Sequence, residues 1–205
     1  MLLGATLRFM QEWEEGLRYL DQARTMLKAA ENTPNLSEAY HIISWMHYDQ
    51  GRLPEALDAV EEAWKHAELT DNPFIQASIS LSLGKTLFSA NRDTEAWKYI
   101  ETALMKDSYI GDRFAVAQAL EYMGYGYLHR GDYQNAYGAY EATAEKYAGT
   151  VCANTSGGKC KDNMARIKQK QENTGITIGF HGHSLDFDDT FFYPPVQASA
   201  SVSSS

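Results

Sequence analysis

The chain has 205 residues, of which 44% are hydrophobic and 22% are charged, a composition typical of folded globular proteins. Its formal net charge is −9, and it has no basic stripe that could neutralise phosphates, which argues against nucleic-acid binding. No apolar run approaches the roughly 18 residues that a membrane span needs, and the N-terminal segment lacks the basic leader of a secretory signal. We therefore expect a cytoplasmic protein with neither a nucleic-acid nor a membrane partner.

The spacing of apolar residues predicts eight helices up to residue 147. Ser37 and Asp93 are the expected N-caps of the third and sixth helices, because short polar side chains accept hydrogen bonds from the free N–H groups at a helix start. The predicted helices span residues 1–10, 13–30, 37–50, 53–68, 73–90, 93–107, 112–130 and 133–147.

These helices pair into four copies of one pattern with a period of 40 residues. Three copies align without gaps and place their turns at Gly51, Asn91 and Gly131, and a fourth copy fits around Gln11. Each copy has one small residue on its first helix and another twelve residues later on its second helix, where a tight hairpin brings the two helices together. The small residues are Gly4, Ser44, Gly84 and Gly124 on the first helices, and Gly16, Ala56, Ala96 and Ala136 on the second helices.

Larger apolar residues recur beside these small ones and are expected to fill the layer between hairpins. The sequence therefore predicts an all-α array of about four antiparallel helix hairpins over residues 1–147, divided near 1–36, 37–72, 73–111 and 112–147. The recurring residues are Leu3, Ile43, Leu83 and Met123 on the first helices, and Leu20, Val60, Ile100 and Tyr140 on the second helices.

The pattern resembles the tetratricopeptide repeat, most closely in the third aligned copy with Gly124, Tyr127, Gly131-Asp132-Tyr133 and Ala136. The period of 40 exceeds the usual period of about 34, and Asn91-Arg92-Asp93 replaces the Gly-Asp-Tyr turn in the second copy. Longer repeats of this kind resemble those of kinesin light chains and of sensor arrays in fungal-type signalling NTPases. The resemblance implies a right-handed α-solenoid that binds proteins and is not an enzyme.

The first hairpin is truncated at its outer end in this register, which leaves several apolar side chains without an evident cover. Solenoids usually protect such an end with a polar cap or another domain. We therefore expect either self-association through the N-terminal hairpin or a preceding part of a longer protein. The uncovered side chains are Leu2, Leu3, Leu7 and Phe9.

Residues 148–173 are expected to form a loop and a capping helix near 161–172, and residues 174–205 a mostly disordered tail rich in aromatic residues and serine. The two cysteines, Cys152 and Cys160, match neither a redox pair nor a zinc site. Free thiols are favoured, although a bridge closing a short loop stays open.

The resemblance implies that the first helices line a concave groove that binds a protein or peptide. Aromatic side chains flanked by hydrogen-bonding groups there are typical of binding hot spots. In the alternative interpretation, some rings, Tyr122 above all, only fill the space between helices. The expected contact residues are His41, Trp45, Tyr48, Asp49, Leu81, Lys85, Phe88, Glu121, Tyr122, Tyr125 and His129.

Two other functions remain as hypotheses for the C-terminal tail. First, its five rings could occupy the chain's own groove, which would make the protein a self-regulated adaptor. Second, His181 and His183 with the nearby aspartates could bind a metal for an enzyme, but the segment lacks the fixed geometry that metal ligands need. The rings are Phe180, Phe187, Phe191, Phe192 and Tyr193.

Gly84-Lys85-Thr86 is similar to the end of a phosphate-binding loop. That loop needs a glycine five residues earlier, where the chain has Ile79, and a preceding strand. The sequence therefore predicts no catalytic, cofactor-binding or metal-binding residue.

Overall fold

The structure is a computed structural model, and it describes residues 6, 10, 12–148 and 156–174. Within these ranges it consists of eight α-helices and contains no β-strand. The predicted helix over residues 1–10, with Gly4 and its uncovered apolar side chains, lies almost entirely outside the described residues. The helices are α1 (Trp13–Ala29), α2 (Thr33–Asp49), α3 (Leu53–Glu68), α4 (Pro73–Ser89), α5 (Asp93–Ile110), α6 (Arg113–His129), α7 (Tyr133–Tyr147) and α8 (Ser156–Thr174).

The start of α2 differs from the prediction. The helix begins at Thr33, because the Asn32 side chain accepts a hydrogen bond from the N–H of Asn35 at 3.3 Å and so caps it. Ser37 is buried one turn inside the helix, and its Oγ donates to the carbonyl oxygen of Ala63 on α3 at 3.0 Å. The prediction of Ser37 as an N-cap was wrong.

The N-cap and the end of α5 also differ from the prediction, whereas its first helical residue agrees with it. Asp93 is the first helical residue and Arg92 occupies the N-cap position without a capping hydrogen bond, so Asp93 was wrongly predicted as the cap. The helix continues past residue 107 to Ile110 and ends at Gly111, whose φ of +80° suits a residue without a β-carbon.

The three predicted hairpin turns share one backbone geometry. Gly51, Asn91 and Gly131 have φ values of +72°, +58° and +75°, in the left-handed region. The residue after each donates its N–H to the carbonyl oxygen five residues earlier at 2.9 Å, from Arg52 to His47, from Arg92 to Leu87 and from Asp132 to Tyr127. This bond closes the end of a helix, and asparagine tolerates the conformation, which explains how Asn91 replaces glycine.

The small residues lie where the two helices of a hairpin touch. A β-carbon on Gly84 would stand 2.5 Å from Cδ1 of Ile100 and 3.1 Å from the carbonyl oxygen of Ala96. A β-carbon on Gly124 would stand 2.9 Å from the ring of Tyr140. The pairs α4–α5 and α6–α7 therefore pack at a distance that a larger residue would prevent.

The predicted C-terminal helix is present and is longer than expected. Cys160 and Ile167 of α8 stand 40 residues after Leu120 and Tyr127, and both are buried in a cluster with Tyr140 of α7. The helix thus takes the place of the first helix of a further repeat. Met164 falls at the position that holds a small residue in the other first helices, and a large side chain fits because no helix follows α8 among the described residues.

Candidate protein-binding face

The first helices α2 and α4 are joined by polar contacts through one serine. Oγ of Ser82 lies 2.6 Å from Nε2 of His41 and accepts a hydrogen bond from Nε1 of Trp45 at 3.1 Å. The rings of His41 and Trp45 are themselves 4.2 Å apart between centroids. Ser82 therefore fixes the position of an indole ring that remains half-buried at the surface.

A second bridge between these helices surrounds Lys85. Oγ of Ser89 donates its proton to the carbonyl oxygen of Lys85 at 3.2 Å. Because a serine hydroxyl has only one proton, the hydroxyl of Tyr48, which lies 2.9 Å away, donates to Ser89 Oγ. Nζ of Lys85 lies 4.2 Å from the ring centroid of Tyr48 and 5.9 Å from that of Tyr122 on α6. Cation–π attraction thus places the positive charge of α4 between aromatic rings of α2 and α6.

Tyr125 provides the exposed end of this surface. Its ring packs edge-on against Phe88 of α4 at 5.9 Å between centroids, yet 38% of the residue remains accessible. Its hydroxyl lies 3.3 Å from Nε2 of His129, and Nδ1 of His129 lies 3.6 Å from Oδ2 of Asp93. The ring is consequently held from two sides and offers its remaining surface to solvent.

Glu121 and Tyr122 lie deeper, where α6 meets its neighbours. Burial raises the pKa of the Glu121 carboxyl group, and Lys159 of α8 and Lys85 of α4 oppose that increase. Burial also raises the pKa of the Tyr122 hydroxyl, so this tyrosine stays neutral at physiological pH. Glu121 therefore lies near positive charges from the helices on both sides of α6.

The structure divides the predicted contact residues into two groups. His41, Leu81 and Phe88 are buried, and Phe88 is only 1% exposed, so these three cannot contact a partner in this conformation. They support the surface residues from below. We define the first-helix face by the residues that keep accessible surface: Trp45, Tyr48, Asp49, Lys85, Glu121, Tyr122, Tyr125 and His129.

Ser82, Ser89 and Asp93 belong to the site but were not predicted from the sequence. The 40-residue period could have found the serines, because Ser82 shares its repeat position with Tyr122, and Ser89 shares its own with Asp49 and His129. Asp93 is the first residue of α5, the second helix of its hairpin, and it contacts the site through His129 of α6. Its role depends on the tertiary structure.

Large exposed hydrophobic side chains gather at a second location, near the turns between hairpins. Tyr109 is 88% exposed and Phe74 is 61% exposed. This inter-hairpin edge lies at the opposite ends of the helices from Asp49, Ser89 and His129. It consists of Met26, Leu69, Phe74, Met105, Tyr109 and Phe114.

The described residues offer little for other kinds of site. No group of three or more histidine, cysteine, aspartate or glutamate side chains is placed to hold a metal ion in these ranges, and His181 and His183 lie outside them. Two depressions along α1 are open to solvent, one of them lined by Arg24, Thr25, Lys28, Ala29 and Tyr40.

Comparison with known proteins agrees with this geometry. Residues 1–68 match the family model of the tetratricopeptide repeat. The fold is similar to BtubC (BKLC) from P. vanneervenii, with a TM-score of 0.62 and 16% identity over 98% of this chain and 85% of that one. The first third of the chain thus matches the tetratricopeptide repeat, and the chain as a whole has a tetratricopeptide-like fold. No curated protein matches its sequence.

The tetratricopeptide-like array is also similar to a Podosopora anserina kinesin light chain structure with nearly identical TPR-like repeats. The TM-score is 0.61 and the identity is 13% over 85% of this chain and 94% of that one. The right-handed α-solenoid implied by the repeat pattern is thereby confirmed, as is the resemblance to kinesin light chain repeats. No helix among the described residues is long and apolar enough to cross a membrane.

Proposed function

We propose that the first-helix face binds an extended segment of another polypeptide. Tetratricopeptide-like arrays generally serve as scaffolds for protein–protein interaction, and the arrangement around Lys85 supports this role here. The observation that carries the proposal is the placing of Lys85 of α4 between Tyr48 of α2 and Tyr122 of α6, with Trp45 and Tyr125 as further accessible rings on α2 and α6. Serine hydrogen bonds hold two of these rings in place before any partner arrives.

The fixed rings favour binding because little side-chain freedom is lost when a partner covers them. Immobilising a flexible side chain at an interface costs about 0.5–1.5 kcal/mol, and contacts that are already ordered avoid that cost. Three neighbouring first helices, each about 10 Å from the next, offer a surface about 30 Å long, which an extended peptide of about nine residues can span. Trp45 and Tyr125 stand toward its two ends.

We further propose that the array acts in the cytoplasm as the sensor or scaffold part of a larger signalling protein. Cys160, the free thiol that the described residues include, is buried and suits a reducing compartment. The link to signalling rests on the 40-residue period alone. Self-association through the N-terminal hairpin stays a proposal, because residues 1–5, 7–9 and 11 lie outside the described residues.

Paired alanine variants test the binding face. Trp45→Ala with Tyr125→Ala removes one ring near each end of the face, and we expect it to abolish the recovery of proteins by proximity labelling or co-purification. Phe74→Ala with Tyr109→Ala is the matched control, because it removes two exposed rings from the inter-hairpin edge. Circular dichroism checks that both variants stay folded.

The two variants separate the possible outcomes. Loss of capture in the first variant alone supports the first-helix face. Loss in the second variant alone, or full capture by the first, would show that the partner binds elsewhere.

A further inference from the structure

We propose that residues 180–193 of the chain's own C-terminal tail bind the first-helix face and compete there with external partners. The inference rests on the proposed function, since it assigns a specific internal ligand to the same face. Residues 175–205 lie outside the described residues, and the proposal is supported by the place where the described chain ends, the length of the tail and the residues that its sequence offers to the face.

The tail begins beside the face. The described chain ends at Thr174, the last residue of α8. Nζ of Lys170 in the final turn lies 5.0 Å from the ring centroid of Tyr133, the first residue of α7. The end of α8 is therefore next to the turn between α6 and α7, on the side of the array where His129 ends α6. The inter-hairpin edge lies on the opposite side.

The chain length is sufficient for the tail to cross the whole face. Phe180 is the sixth residue after Thr174, and this stretch spans at most about 20 Å when extended. The fourteen residues 180–193 span up to about 45 Å, which exceeds the width of α2, α4 and α6 side by side. The tail can reach from α6 to α2 without any change in the array.

The tail complements the charge of α8, the helix from which it continues. Residues 175–205 contain three aspartates and no lysine or arginine. They adjoin α8, which carries five basic residues against two acidic ones, and the face holds one positive charge, Lys85, beside the carboxylates of Asp49 and Glu121. Asp186, Asp188 and Asp189 can therefore pair with basic groups of α8 and with Lys85.

The tail also supplies the apolar groups that an aromatic face binds best. Edge-to-face and offset contacts between rings contribute about 0.5–1.5 kcal/mol each beyond the burial of their area. A tethered ligand has an effective concentration in the millimolar range, so even a weak intrinsic affinity keeps the face largely occupied. The tail rings within the proposed ligand are Phe180, Phe187, Phe191, Phe192 and Tyr193.

Photo-crosslinking in the full chain tests where the tail binds. Phe187 is replaced by the photoreactive residue benzoylphenylalanine, and the crosslinked peptides are identified by mass spectrometry. We expect crosslinks within one chain to residues 41–49, 82–89 or 121–129. The same label at Val202, near the Ser-rich end, serves as the control and should give few crosslinks there. Crosslinks to the inter-hairpin edge or the second helices, crosslinks only between two copies, or no crosslinks would each overturn the proposal.

A binding measurement tests the competition. The probe is a fluorescein-labelled peptide with the sequence of residues 180–193, titrated with the full chain and with a full-chain variant carrying Phe187→Ser, Phe191→Ser and Phe192→Ser. We expect the variant to bind the probe at least tenfold more tightly, because its own tail no longer competes. A control variant with Val196→Ser and Val202→Ser should behave like the parent chain.

Equal affinity for the probe in the parent and the Phe→Ser variant, or no binding by either, would overturn the proposal that the tail binds the first-helix face. Neither result depends on an external partner. The proposed function would still be judged by the Trp45 and Tyr125 variants, so the two failures can be told apart.

Discussion

Gly84 and Gly124 show how the absence of a side chain shapes this protein. At each position the facing helix already fills the space, with the Ile100 side chain in one hairpin and the Tyr140 ring in the other. Ser44 at the equivalent position tolerates a hydroxymethyl group and donates its Oγ to the carbonyl oxygen of His41 at 2.7 Å. The hairpins therefore share one plan but differ in how closely their helices approach.

We expect Gly84→Ala to lower the free energy of unfolding by about 1–3 kcal/mol, because overpacking forces side chains or backbone to shift. Ile100→Ala alone should cost about 2–5 kcal/mol through the cavity it leaves. In the double variant the new methyl group enters that cavity, so the combined loss should fall short of the sum by about 1 kcal/mol or more. Urea unfolding measures all three, and strict additivity would show that Gly84 and Ile100 do not compete for space.

Asp107 makes stability depend on pH. The residue is 4% exposed, and burial raises the pKa of its carboxyl group from 3.8 to about 6, with the charge of Asp112 adding to the effect. Between pH 4 and 6 the unfolded chain has lost this proton while the folded chain retains it. Protonated Asp107 therefore makes its full contribution to the free energy of unfolding below about pH 4, and this contribution is lost as the pH rises through 6.

Asp107→Asn should remove that dependence. We expect the parent chain to lose up to about 3 kcal/mol of unfolding free energy between pH 4 and pH 7 through this group, and the variant to lose correspondingly less. Chemical unfolding across this range, with the exposed Asp58→Asn as the control, measures the difference. Parallel pH profiles for the parent and Asp107→Asn would contradict the assignment.

The sequence could place residues in the repeat but could not always separate surface from core. Tyr48 and Phe88 share one repeat position, yet Tyr48 is half-buried and Phe88 is fully buried. On the following first helix Phe88 meets Gly126, where a β-carbon would stand 2.5 Å from its ring, whereas Thr86 occupies the equivalent position beyond Tyr48. The depth of an aromatic side chain thus depends on the neighbouring helix, which a single repeat position does not encode.

At the level of helices, the turns between the two helices of a hairpin could be predicted more accurately than the residue at which a helix begins. The bounds of α3 and α7 match the predicted spans, because Gly51 and Gly131 fix the turn before each of them. The start of α2 could not be placed correctly, since both Asn32 and Ser37 are good caps and tertiary contacts decide between them. Ser37 lies in the core, where its hydroxyl donates a hydrogen bond to the carbonyl oxygen of Ala63.

The docking of α8 can be tested with neighbouring substitutions. Ile167 is buried against α7, whereas Arg166 is exposed on the outer side of the same helix. We expect Ile167→Ala to lower the free energy of unfolding by about 2–5 kcal/mol and Arg166→Ala to change it by no more than about 0.5 kcal/mol. Thermal and urea unfolding would measure both, and equal effects would mean that α8 does not stabilise the array.

Across the whole molecule, each hairpin contacts mainly its neighbours, as expected of a solenoid. The side chains of Lys159, Lys161, Arg166, Lys168 and Lys170 on α8 are exposed, so the array ends in a polar surface. Repetition also places equivalent residues of successive first helices side by side. A surface that crosses α2, α4 and α6 therefore follows from the fold, whereas its serine bridges and its buried rings depend on individual residues.

Hydrogen–deuterium exchange on the full chain, with and without a co-purified partner, tests the central claim most directly. We predict that the partner slows exchange in residues 41–49, 82–89 and 121–129, the segments that carry the first-helix face. Residues 69–74 and 105–114 at the inter-hairpin edge should exchange at unchanged rates. Slower exchange at that edge, with the three first-helix segments unaffected, would contradict the account.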